Sequence, residues 1–213
     1  MEALEAIGEG PDSWNTMMLL YNAALKEINT KVEILIDEFQ HVHRYNPIEY
    51  VKSRIKSPES IVAKLKRYGY EPTIHNMVQY CNDISGIRIV CSFTSDIYRI
   101  VESIQRQNDL RILQVKDYIS KPKESGYKSY HLLVSVPIFL SDRVVDTKVE
   151  IQIRTHEMHR MAEYGVAAHW KYKEDPNATG PSPGRGGEVV DGGDMAWLRQ
   201  LVDWQKETQD PTE

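Results

Sequence analysis

The stretch DTKVEIQIRT, residues 146–155, constrains the fold more than any other part of the chain. Val149, Ile151 and Ile153 fall on one side of an extended backbone, and Lys148, Glu150, Gln152 and Arg154 fall on the other. A period of two is that of a strand, so the chain must build a sheet with one apolar face and one polar, charged face. A polar face of this kind is either a solvated antiparallel surface or the floor of an active site. The preceding YHLLVSVPIF, residues 130–139, reads as the other half of a hairpin turning through SDRVVD. Farther upstream, GIRIVCSF places Ile87, Ile89, Cys91 and Phe93 against Arg88, Val90 and Ser92, a half-buried strand, and LRILQV supplies another.

Between these strands the spacing changes to that of helices. Residues 12–42 offer an Asp or Ser cap followed by apolar residues at helical intervals, and predict one long amphipathic helix. SPESIVAKLKRYG opens on Ser-Pro and stops at Gly69, and TSDIYRIVESIQRQND is a capped helix between two strands. EMHRMAEYGVAAHWKYKE continues as a helix beyond the last strand. Helices and hairpins mixed in this order predict an α+β fold, a mostly antiparallel sheet of about five strands flanked by helices. The expected organisation is a flexible lead over 1–11, one domain over 12–174, a Gly/Pro-rich mobile linker over 175–193, and a C-terminal helix and tail over 194–213.

Composition narrows the function. The 213 residues carry a net charge of −5, which argues against binding nucleic acid over the whole surface. Within this acidic chain, residues 52–67 hold six bases against Glu59 alone, and residues 111–128 hold Arg111, Lys116, Lys121, Lys123 and Lys128 against Asp117 and Glu124. Two basic islands suit either solvated surfaces or a focused anion site. No apolar run approaches the ~20 residues of a membrane span and no signal-peptide pattern opens the chain, so a cytoplasmic protein without a membrane partner is expected. Cys81 and Cys91, the only cysteines, read as buried thiols.

A phosphate-rich nucleotide needs bases for its oxygens, carboxylates for Mg²⁺ and a flat ring for its base. Lys56, Ser60 and Lys64 are spaced by four and are expected on one helical face, with Arg54 and Arg67 nearby. Asp83, just before the GIRIV strand, and Glu150, on the polar face, are the candidate carboxylates, either as joint ligands or with one accepting a proton. Tyr127 follows Gly126 in the loop KESGYKSYH, where a turn would present the phenol to a base, with Lys123 and His131 beside it. Taken singly, each of these rings is as well explained by packing against the core. There is no GxxxxGK[ST] phosphate loop, no GxGxxG before a helix, no GxSxG elbow and no HExxH, and His159 with Glu163 lacks the second histidine of a zinc pair.

Four motifs in order resemble the synthetase domain of the RelA/SpoT family, especially its single-domain small alarmone synthetases. They are the basic series from Arg54 through Lys56 and Ser60 to Lys64, DISGIRI at 83–89, VKDYISKPKESGYKSYH at 115–131 and VEIQIRT at 149–155. The likeness spans about residues 45–173. It implies a nucleotidyltransferase-like fold and a (p)ppGpp synthetase of the stringent response, a GTP diphosphokinase moving pyrophosphate from ATP to the 3'-OH of GDP or GTP with Mg²⁺. By position it gives ATP to Arg54, Lys56, Ser60, Lys64, Arg67 and Arg88. It gives the acceptor to Lys116, Lys123, Tyr127, His131, Gln152 and His159, the metal to Asp83 and Glu150, and activation of the 3'-OH to Glu150. The segment after VEIQIRT resembles the long, multidomain members, and Gln114 stands where many bifunctional members have arginine. No hydrolase activity is expected, and a homo-oligomer, commonly a tetramer among small members, is. The rivals are transfer to an adenine nucleotide or a tRNA 3' end, and a non-catalytic nucleotide-binding regulator.

Overall fold

The computed structural model describes residues 2–163 apart from Glu9 and Pro11, and the expected linker and C-terminal helix lie outside the described residues. Ten elements follow one another: α1 (Glu2–Ile7), α2 (Ser13–His41), β1 (Ile48–Ile55), α3 (Pro58–Arg67), α4 (Ile74–Tyr80), β2 (Ser85–Cys91), α5 (Thr94–Gln105), β3 (Arg111–Asp117), β4 (Tyr130–Phe139) and β5 (Val144–Thr155). Residues 156–163 are helical as well. The five strands form one sheet in the order β1-β2-β5-β4-β3, antiparallel at every pairing except β2 with β5. That is the expected α+β plan.

The sheet's apolar face is carried by Ile87 and Ile89 of β2, Ile151 and Ile153 of β5 and Leu132 of β4, all essentially inaccessible to solvent. α2 lies over β1, β2, β4 and β5. Its Met17, Leu20, Ala24, Ile28, Val32, Leu35 and Phe39 recur at intervals of three and four and are buried. Each large side chain so buried contributes about 1.5–3 kcal/mol, which is why α2 needs no strong cap. α5 packs against β2 and β5 with Ile97, Ile100, Val101 and Ile104. Pro137 is tolerated in β4 because β3 pairs only as far as Ser135, leaving β4 an edge there.

Several elements depart from expectation. Residues 2–7, expected to be an unpatterned lead, form α1, with Ile7 in the core. β1 and α4 were not foreseen. Lys56 lies outside α3: Ser57 is the N-cap, its side chain accepting from the Ser60 amide, and Pro58 occupies the first turn. Lys56 instead ends the β1 excursion, its amide donating to the Ile84 carbonyl at 2.7 Å. Cys81 and Cys91 are buried free thiols, as expected.

Candidate functional site

The face of the sheet away from α2 is a ladder of polar side chains. Register puts Lys52, Arg88, Gln152, His131 and Lys116 in one row across all five strands, and Arg54, Gly86, Glu150, Leu133 and Gln114 in the next. At about 4.8 Å between strands such a row is roughly 19 Å long. A cleft of about 160 Å³ opens where the second row meets the turn before β2, lined by Lys64, Tyr68, Tyr80, Asn82, Asp83, Gln114, Lys116, His131, Leu133 and Glu150.

Asp83 sits at the basic end. Lys56 Nζ donates to one carboxylate oxygen at 3.0 Å and Lys64 Nζ to the other at 2.8 Å, and the three side chains are 11–15% exposed. Burial pushes the Asp83 pKa up, but the two ammonium groups outweigh it and hold the carboxyl below its ordinary range. Lys64 is raised correspondingly, the attraction of Asp83 overcoming desolvation. The two lysines thus meet through a shared anion from separate elements, not as a helical row. Lys148, whose pKa burial lowers, donates to Asn82 Oδ1 at 2.9 Å and so ties β5 to the residue before Asp83.

Glu150 occupies the centre. Its Oε1 meets His131 Nδ1 at 3.3 Å and its Oε2 accepts from Gln152 Nε2 at 2.9 Å. Burial raises its pKa, the His131 and Gln152 hydrogen bonds overcome that, and the net is a carboxyl below the usual glutamate range despite repulsion from Asp83. Both carboxylates line the same cleft. They form the pair that could hold a divalent cation, and a hard cation such as Mg²⁺ commonly takes only one or two protein carboxylates, with phosphate oxygens and waters completing its shell. No group of three or more His, Cys, Asp or Glu side chains suited to a metal occurs among the described residues.

The residues of the loop KESGYKSYH lie beyond Glu150. Gly126 has φ 77°, the left-handed conformation the turn requires. Tyr127 is half-buried, its hydroxyl 2.9 Å from His131 Nε2 and 3.2 Å from an Arg154 nitrogen that donates to it. Burial raises its pKa, with Arg154 opposing. The ring is not bare: Lys123 Nζ is 5.0 Å and the Arg154 guanidinium 5.6 Å from its centroid, and Tyr118 and His131 approach edge-on.

Among the sequence-derived candidates, Lys64, Asp83, Lys116, His131 and Glu150 line the cleft, and Lys56, Tyr127, Lys123 and Gln152 adjoin it through the contacts above. Arg54 and Arg88 continue the two rows toward the β1 edge. Ser60, whose hydroxyl accepts from Ser57 at 3.0 Å, lies at the α3 start, and Arg67 stacks over Tyr68 at 5.3 Å. His159 lies edge-on to Tyr50 at 5.8 Å and is not among the lining residues. Tyr68, Tyr80 and Asn82 line the cleft without having been singled out. Asn82 and Tyr68 directly adjoin the named Asp83 and Arg67, but that their side chains reach the cleft depends on the fold.

An α+β sheet with one helix-covered face and one charged face, carrying two carboxylates among clustered bases, defines a site for polyphosphorylated ligands. The model of the region found in RelA / SpoT proteins matches residues 53–177. The GTP pyrophosphokinase YwaC of Bacillus subtilis is 45% identical over 164 residues, 77% of this chain and 78% of that protein. The GTP pyrophosphokinase YjbM of the same organism is 33% identical over 159 residues, 75% and 74% of the respective chains. The solved structure of small alarmone synthetase 2 from B. subtilis is similar at 37% identity and TM-score 0.66, covering 92% of this chain and 95% of that one. That of small alarmone synthetase 1, described as bound to its product pppGpp, is similar at 33% identity and TM-score 0.66 over 76% and 83%. The chain belongs to the RelA/SpoT family, and its fold is the nucleotidyltransferase-like one of the alarmone synthetases.

Proposed function

We propose that this chain transfers the β,γ-pyrophosphoryl group of ATP to the 3'-hydroxyl of GDP or GTP, releasing AMP. The observation that carries it is the convergence of Asp83, held by Lys56 and Lys64, and Glu150, held by His131 and Gln152, on one cleft. Family membership, and relatives named as GTP pyrophosphokinases, support the same reaction. In this scheme Arg54, Arg88 and the α3 end with Lys56, Ser60, Lys64 and Arg67 hold ATP. Lys116, Lys123, Tyr127, His131, Gln152 and, more remotely, His159 hold the acceptor. A base stacking on Tyr127 takes the place of exposed Lys123 rather than of buried Arg154.

The 3'-oxygen forms its bond to Pβ as the bond from Pβ to the bridging oxygen breaks. The electron pair leaves with AMP, and the 3'-proton passes to the Glu150 carboxylate. Glu150 is suited to this because it is ionised, oriented at both oxygens and next to the acceptor residues. Asp83 and Glu150 are the proposed ligands for Mg²⁺, which would neutralise charge on the transferring phosphates. Lys56 and Lys64 move from Asp83 to phosphate oxygens as ATP enters.

The test is to incubate the chain with γ-labelled ATP and Mg²⁺ plus GMP, GDP, GTP, excess ATP or tRNA. Label on GDP or GTP is expected, and label only on an adenine nucleotide or tRNA would overturn the acceptor. We also propose a homo-oligomer, and light scattering at the 24.6 kDa mass of one chain would reject it. No described helix is long and apolar enough to cross a membrane.

A further inference from the structure

Arg154 is 3% exposed, and nothing in the transfer scheme uses it. It lies four residues beyond Glu150 on the same face of β5, with Gln152 between them. At about 3.4 Å per strand residue their Cα atoms are roughly 14 Å apart, so the chain has placed a buried cation close to its central carboxylate without letting the two lie side by side.

The hydrogen bonds around it form a closed ring. Arg154 donates to Gln152 Oε1 at 2.7 Å, and Gln152 Nε2 donates to Glu150 Oε2 at 2.9 Å. On the other side Arg154 donates to the Tyr127 hydroxyl at 3.2 Å, which is 2.9 Å from His131 Nε2, while His131 Nδ1 is 3.3 Å from Glu150 Oε1. A guanidinium has donors only and a carboxylate acceptors only, so the direction of both arms is set at each end. Gln152 must turn its oxygen to Arg154 and its amide nitrogen to Glu150. The Tyr127 hydroxyl, with one lone pair taken by Arg154, donates to His131 Nε2, and the neutral ring carries its hydrogen on Nδ1, facing Glu150. Both arms are satisfied in this one arrangement, and they end on different oxygens of the same carboxylate.

We infer that Arg154 is a positioning residue for Glu150. It acts through Gln152 on one side and through Tyr127 and His131 on the other, and this inference rests on the role proposed for Glu150. A direct Arg154–Glu150 ion pair would occupy the carboxylate and quench it as a proton acceptor. The relay instead fixes the carboxylate's orientation with neutral donors and leaves its remaining lone pairs toward the cleft.

The test uses the full chain with Arg154→Met, Arg154→Lys, Gln152→Leu, Glu150→Gln and the Arg154→Met/Glu150→Gln double variant. For Arg154→Met, kcat is expected to fall about 10- to 100-fold with the KM for ATP nearly unchanged, the size of effect that misorienting one proton-accepting group produces. Arg154→Lys, which keeps donors and charge, should recover part of the loss, and Gln152→Leu, which breaks one arm with the arginine in place, should show a smaller fall in kcat. Because Arg154 acts through Glu150, the double variant should be no slower than Glu150→Gln alone. Independently of activity, ¹⁵N spectra of His131 at pH 8 should show hydrogen on Nδ1 in the wild type and a mixture of tautomers in Arg154→Met. Hydrogen on Nε2 in the wild type would overturn the inference. So would additive losses in the double variant, or reduced thermal stability in Arg154→Met with kcat per folded molecule intact. If Arg154→Met does not fold, the wild-type spectrum and Gln152→Leu decide. Full turnover by Glu150→Gln would instead sink the proposed role of Glu150, leaving the tautomer result to report on the ring.

Discussion

Lys64→Met tests the arrangement at Asp83 most sharply. The change keeps an unbranched aliphatic side chain on α3 and removes one of the two ammonium groups, leaving Lys56 at 3.0 Å as the remaining partner. Unit charges about 4 Å apart attract by about 4 kcal/mol at an effective dielectric of 20, but burying the ammonium consumes much of that. Stripping a buried carboxylate of every partner costs about 3–5 kcal/mol, so with Lys56 retained a loss of about 1–3 kcal/mol is expected. For a chain of this size that is a drop in Tm of roughly 2–12 °C. Asp83→Asn and the double variant complete a cycle, and thermal or urea unfolding gives the coupling, expected at about 1 kcal/mol or more. The pH dependence has a definite sign. A carboxyl held below its unfolded pKa contributes stability that is present at neutral pH and is lost as pH falls through the folded value. With Lys64 gone and burial unchanged, the Asp83 pKa rises, so the acid-induced loss must begin at a higher pH than in the wild type. A coupling below about 0.3 kcal/mol, or acid unfolding curves that superimpose, would refute the claim that Lys64 and Asp83 form a stabilising pair.

Removing Lys64 should also strengthen Mn²⁺ binding by the nucleotide-free chain, measured by electron paramagnetic resonance, because one Asp83 oxygen is released while ATP affinity falls; weaker Mn²⁺ binding would show that the lysine does not compete for that oxygen. Glu150→Gln should retain ATP binding and lose roughly 100-fold or more in turnover, and a rate above about a tenth of wild type would remove this carboxylate from proton or metal work. Tyr127→Ala should weaken acceptor binding by one to two decades, the ~1–3 kcal/mol of a stacked base, whereas Tyr127→Phe should keep that affinity and lower kcat by breaking the Arg154–His131 arm; titration calorimetry with GDP separates the two, and equal weakening of ATP would make the ring a core element. Gly86→Ala should leave thermal stability unchanged or higher, since a Cβ there meets nothing nearer than the Glu150 carbonyl at 3.7 Å, while weakening ATP binding because the strand lies bare between Arg54 and Glu150; lost stability with intact ATP affinity would reverse that view.

How far the sequence could be read differs from element to element for physical reasons. β5 was legible because Ile151 and Ile153 are buried in full while Glu150 and Gln152 are not, so burial wrote a period of two into the chain. α2 was legible because one stripe of a 29-residue helix is buried along its whole length. β1 lies at the sheet edge, and only Ile48 of its eight residues is buried; with Lys52 and Arg54 on the polar face, little of its pattern is set by the core. α4 is seven residues long with two buried positions, too short for periodicity to show. Its signal was local: Thr73 accepts from the Asn76 amide, a cap that a search for long amphipathic stretches passes over.

The same division explains which parts of the site could be foreseen. The residue types were visible, because phosphate, metal and base chemistry each call for a restricted set of side chains. Their partners were not, because those depend on register. Tyr127 and Arg154 are 27 positions apart and His131 and Glu150 are 19 apart, and each pair meets only because β4 and β5 align His131 with Gln152. A slip of one residue would send Glu150 to the apolar face and dissolve the ring. The four-residue spacing from Lys56 through Ser60 to Lys64 gave the right neighbours for a wrong cause. Lys56 ends a strand and Lys64 rides a helix, and what brings them within 3.0 Å of one carboxylate is Asp83, anchored on the Lys56 side by the bond from its amide to Ile84 and on the other by Lys148 through Asn82. Two cations from independent elements converging on one anion are already positioned for a second anion, and in the proposed scheme the phosphates of ATP are that anion.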